Sequence, residues 1–165
     1  MFNRSIVVVA ASLFTLAGCC GAGAGDTRQT APAPVPNTPK SLDVQIGGGE
    51  SEFADEADGA EVELVHGPQG GWHVWTSVRV TPAVAELTVD LSANVEGETD
   101  PAGPASGWAA NRMTSHDYVE VDGLKAYVTS PDAVVGRTLV IHADAVTPDG
   151  QHGSATLRVR VTSST

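Results

Sequence analysis

The chain reads as an all-β protein, an antiparallel β-sandwich of about seven to eight strands, and three observations carry that expectation. Apolar and polar residues alternate with a period of two through most of residues 42–163. No part of that stretch carries apolar residues at the three-to-four spacing of an amphipathic helix. Turn residues interrupt the runs often enough for short strands joined by tight connections. Some ~120 residues suffice for one domain with a sizeable core.

The elements follow in order. Val62 and Leu64 alternate with Glu61 and Glu63. Next, Trp72, Val74, Thr76, Val78 and Val80 are expected to point inward, with His73, Trp75, Ser77 and Arg79 outward. Leu87, Val89 and Leu91 alternate with Glu86, Thr88 and Asp90. Residues 94–117, with Gly97, Pro101, Gly103, Pro104 and Gly107, form the longest break and read as a loop. Val119 and Val121 lead into Asp122-Gly123, which predicts a two-residue hairpin turn before Leu124, Ala126 and Val128. Leu139, Ile141, Ala143 and Ala145 run up to the turn Thr147-Pro148-Asp149-Gly150. Ala155, Leu157, Val159 and Val161 return from it.

That last pair, Gly136 to Gly150 with its Ser154–Val161 return, resembles the final hairpin of bacterial immunoglobulin-like domains. The resemblance implies an immunoglobulin-like sandwich, with a jelly roll as the second choice. The Cys-Trp-Cys core of antibody-type domains is missing.

The N-terminus carries a different message. Arg4 is followed by an uncharged run from Ile6 to Ala17, about a dozen residues, which suits a signal-peptide core but not a bilayer span. It ends in Leu16-Ala17-Gly18-Cys19, which resembles the lipobox of bacterial lipoproteins. The resemblance implies cleavage before Cys19 and a thioether-linked diacylglycerol on its thiol. Residues 1–18 are then a signal peptide and 19–41 a lipidated cysteine with a Gly/Ala/Pro-rich tether. Residues 42–163 are the domain. Cys20 in place of the aspartate of inner-membrane lipoproteins implies the outer membrane, where the organism has one.

Composition limits what the anchored part can do. Loss of residues 1–18 removes Arg4 alone among charged residues, taking the formal charge from −11 to −12. A basic footprint for nucleic acid or anionic lipid is therefore lacking, and the lipid on Cys19 must anchor the chain. The only cysteines are Cys19 and Cys20, so residues 42–163 hold neither a disulfide nor a cysteine metal site. No nucleophile elbow, metal-ligand string or phosphate loop is present, so the chain reads as no enzyme. The expected partner is a cell-envelope protein or polysaccharide, with no cofactor beyond the lipid.

Two regions supply candidate binding residues. The string Gly67-Pro68-Gln69-Gly70-Gly71-Trp72-His73 sits at a hairpin tip and resembles one in uncharacterised secreted lipoproteins, which implies no function. Gly70 and Gly71 can leave amides uncovered as an anion-binding concavity, Gln69 adds a donor and an acceptor, and His73 and Trp75 lie beside it. Further along, Trp108, Arg112 and Tyr118 are of the types that dominate binding hot spots. Among the five histidines, His66, His73 and His116 form the alternative, a copper or zinc site. The acidic run from Glu50 to Glu63 lacks a calcium-loop pattern and reads as solvated surface.

Overall fold

The computed structural model describes residues 41–111 and 116–163, which belong to one compact unit. The signal peptide, Cys19, the tether up to residue 40 and Arg112 lie outside the described residues. No helix among the described residues is long and apolar enough to cross a membrane.

The protein is nearly all β. In order come β1 (Asp43–Gly47), β2 (Ala60–His66), β3 (Trp72–Thr81), β4 (Glu86–Val95), β5 (Ser106–Asn111) and β6 (Val119–Val128). A single helical turn, α1 (Pro131–Val134), leads to β7 (Thr138–Val146) and β8 (His152–Ser163). The strands form one curled sheet in the order β1-β3-β2-β8-β7-β4-β5, with β6 on the other side of β3. The curl lays β1 against β8 and β6 against β4 and β5. Inside it, Val, Leu, Ile and Ala side chains are buried together, among them Leu64, Val78, Val89, Leu124, Leu139, Ile141 and Val161.

The alternation sorts most strands as the sequence indicates. Leu87, Val89 and Leu91 of β4 are buried, as are Leu139, Ile141, Ala143 and Ala145 of β7 and Leu157, Val159 and Val161 of β8. The turn between β7 and β8 closes with Gly150 N donating to Thr147 O at 2.9 Å.

Four expectations need correction. The sheet is mixed rather than antiparallel: β2 pairs parallel with β8 from Ala60↔Val159 to Leu64↔Ser163, then antiparallel with β3 at Val65↔His73. One strand thus serves two partners in succession, which side-chain alternation cannot report.

Residues 94–117 are not one loop. β4 runs on to Val95, and β5 pairs with it from Leu91↔Ser106 to Glu86↔Asn111. β5 carries little sequence signal, because Gly107 and Ala109 weaken its apolar alternation and an edge strand needs little.

His73 lies on the outward face, as its place in the alternation indicates, yet it is only 2% exposed. Gly49 and Phe53 lie against the outer face of β3, where Ser77 Oγ donates to Gly49 O at 3.1 Å and Arg79 lies 4.0 Å from the Phe53 ring centroid. His66, expected inward, is exposed at the strand end, its ring tilted against that of its cross-strand neighbour Trp72 with centroids 4.7 Å apart. It keeps the face of Leu64 but stands past the rim of the core.

Asp122-Gly123 does not reverse the chain. β6 continues through it along the same partner, with Thr76 opposite Leu124 and Val78 opposite Val121. Two residues therefore oppose Ser77 alone, a β-bulge with Gly123 at φ 66°. A side chain there would be strained and its Cβ would stand 2.7 Å from Glu50 O. Gly123→Ala is expected to cost about 1–3 kcal/mol in chemical denaturation. A cost below about 0.5 kcal/mol would mean that the bulge relaxes freely.

Candidate functional site

The aromatic residues show where this protein spends side chains on something other than its core. The buried hydrophobic residues are all Leu, Val, Ile or Ala. Of the domain's Phe, Tyr and Trp residues, Phe53, Trp75, Tyr118 and Tyr127 gather instead on the outer face of β1, β3 and β6. The alternation of β3 and β6 puts them there: Trp75 and Arg79 face away from the core, and in direct register Lys125 stands beside Trp75 and Tyr127 beside His73.

At one end lies the tip between β2 and β3. Gly67 N donates to Gly71 O at 2.9 Å and Gly70 N to Gly67 O at 3.0 Å. Gly70 and Gly71 take φ of 82° and 89°, which is why glycine is needed. Gln69, Gly70 and Gly71 are exposed, yet the amides of Gly67 and Gly70 are committed inside the turn and Pro68 has none. The tip therefore offers less to an anion than its glycines alone imply.

Next along β3 is His73, its ring edge-on to Trp75 at 4.6 Å and 6.3 Å from Tyr127. Its Nε2 is buried with no hydrogen-bond partner among the described residues. Burial lowers the imidazole's pKa from the ordinary histidine value; Lys125 adds to the effect and Glu50 opposes it. The ring is thus held neutral in the folded protein. Stability from this group is fully present above the unfolded value of about 6.5 and is lost as pH falls through the lower folded value. The melting temperature is expected to fall between pH 7 and 5, and His73→Phe to flatten that fall. Parallel pH profiles for wild type and variant would refute the assignment.

Trp75 is half-buried, with the Lys125 ammonium 5.0 Å from its ring centroid on the β6 side. On the other side of β3 a cleft of about 260 Å³ opens between Gly48–Gly49, Glu56, residues 61–63, Val65, Val74 and Trp75. Farther along, Arg79 donates through Nε and Nη2 to Glu120 Oε1 at 2.9 and 2.7 Å. Its guanidinium also lies over Phe53 and, at 4.8 Å, Tyr118. The Glu120 hydrogen bond raises the Arg79 pKa still further, fixing its charge. His116 stacks on Tyr118 at 5.1 Å.

The structure therefore joins His73 to Trp75 and sets Tyr118 at the far end of the same face. Trp108 stands apart: it is 43% exposed on β5 and shares the core-side face of its partner Val89. Arg79, Glu120, Lys125 and Tyr127 were within reach of the outward alternation of β3 and β6, but Phe53 had no periodic signal. Among the described residues, no group of three or more His, Cys, Asp or Glu is arranged to hold a metal ion, and His66 and His73 face opposite sides. The chain matches no protein-family model, no curated protein and no solved structure.

Proposed function

We propose that this chain is an exported lipoprotein, anchored through Cys19 at the cell envelope, whose immunoglobulin-like domain binds an envelope partner without catalysis. Where the organism has an outer membrane, the anchor sits there. The observation that carries the binding reading is the placement of aromatics. An aliphatic core leaves Trp75, Tyr127, Tyr118 and Phe53 on one outer face, beside the cations Lys125 and Arg79. Large rigid side chains of these types are what binding surfaces use.

The strand pairing supports the immunoglobulin-like form. β1, β3 and β6 would be one layer, and β8, β7, β4 and β5 the other, with β2 bridging them by pairing with β3 and β8. The position of β7 between β4 and β8 supports a Greek-key sandwich over an up-and-down barrel, in which sequence neighbours would pair in turn.

Capture from envelope extracts tests the function. Trp75→Ala is expected to keep the fold, because the ring is only half-buried, and to lose the cross-linked partner that the wild-type chain retains. Undiminished capture of the same partner by a folded Trp75→Ala chain would clear this face and move attention to Trp108.

A further inference from the structure

We infer that the cleft beside Trp75 takes a lysine side chain presented by an extended polypeptide segment of the partner; the inference rests on the binding reading above. The cavity of about 260 Å³ falls below the roughly 300–1,000 Å³ of pockets that enclose whole small ligands. It has room for one long side chain. Its walls divide by chemistry: Val62, Val65 and Val74 are apolar, while Glu56, Glu61 and Glu63 bring three carboxylates and no lining residue is basic. Among the described residues none of these three carboxylates is in an ion pair, whereas Asp58, Glu96, Glu98 and Glu120 each meet an arginine.

A lysine fits that division. Its alkyl stem lies along apolar surface while the ammonium stays at the polar edge. A compact point charge can also be shared by several carboxylates, whereas a guanidinium fork is matched to one aligned pair. The Trp75 indole adds an aromatic face, and Lys125 shows that this ring already attracts an ammonium.

The backbone indicates a polypeptide rather than a free amine. β1 pairs with β3 as far as Gly47↔Ser77, and β2 takes up the same side at Val65↔His73. Among the described residues, Val74, Trp75 and Thr76 lie between them with no strand partner on that side, and Val74 and Trp75 line the cleft. A segment crossing this three-residue gap, which β1 and β2 close at either end, can make a main-chain hydrogen bond or two to β3 while its side chain drops into the cleft.

Calorimetric titration of the full chain in detergent tests this with three probes: a blocked hexapeptide of alternating valine and lysine, its Nε-acetylated twin, and spermidine. The unmodified peptide is expected to bind, and acetylation to weaken it by about tenfold or more, as loss of a charge on an aromatic and acidic site implies. Glu63→Gln, at an exposed position that leaves the fold alone, should weaken binding several-fold. Lys125→Gln should tighten it by removing a competing charge. Equal binding of the acetylated twin, or no change in Glu63→Gln, overturns the lysine assignment. Spermidine binding as tightly as the peptide overturns the polypeptide assignment in favour of a free polyamine. If no probe binds while Trp75→Ala still loses the envelope partner, the lysine inference fails and the binding face stands. If the peptide binds through the cleft while capture ignores Trp75, the lysine site stands and the proposed function fails.

Discussion

Cys19→Ala is expected to abolish incorporation of a fatty-acid analogue and to leave the precursor uncut, with residues 1–18 still attached. The expectation comes from Leu16-Ala17-Gly18-Cys19 at the end of a short apolar run. Only a thiol can accept the diacylglycerol, so alanine removes the reaction rather than slowing it. The consequence for location is large because the anchor is additive: each buried methylene contributes about 0.8 kcal/mol, and one chain alone holds only marginally. Two or three chains on Cys19 would make attachment firm, and the acidic remainder would offer a membrane no electrostatic help. Equal labelling of wild type and variant would sink the lipobox reading. Labelling that survives Cys19→Ala but disappears when Cys20 is also replaced would move the anchor by one residue.

What could be read from the sequence depended on the range over which each signal acts. Alternation is local, so it assigned the inward residues of β4, β7 and β8 correctly. It also placed Trp75 and Arg79 on the outward face. It failed where a distant segment changed a residue's surroundings. His73 does point outward, but the Trp75 ring and Tyr127, from a distant strand, pack about it and leave it 2% exposed, and local alternation does not announce that. Asp122-Gly123 carries the backbone demand of a tight turn and of a bulge alike, since both need a residue at positive φ. Only the continuing pairing with β3 decides between them. The cleft beside Trp75 is less legible still. It exists because β1 stops and β2 starts at different points along β3, and register between distant strands leaves no local mark.

The same dependence on β2 yields the largest expected loss of stability. Leu64 is the only fully buried side chain of that strand, at 1% exposure, with Val62 and Val65 half-buried around it. Leu64→Ala is expected to cost about 2–5 kcal/mol, the lost transfer energy plus the cavity left behind. Against a total of roughly 5–15 kcal/mol for a domain, that is enough to leave a measurable unfolded fraction near physiological temperature. The cost should not stay local. β2 pairs with β8 through Leu64↔Ser163 and with β3 one residue later, so loosening it frees strands in both directions. Hydrogen exchange should therefore quicken at buried amides of β3 and of β8 together, and denaturation should remain a single transition. Val62→Ala, half-buried on the same strand, should cost distinctly less. Faster exchange confined to β8, with β3 unchanged, would mean that β2 belongs energetically to one partner and only touches the other.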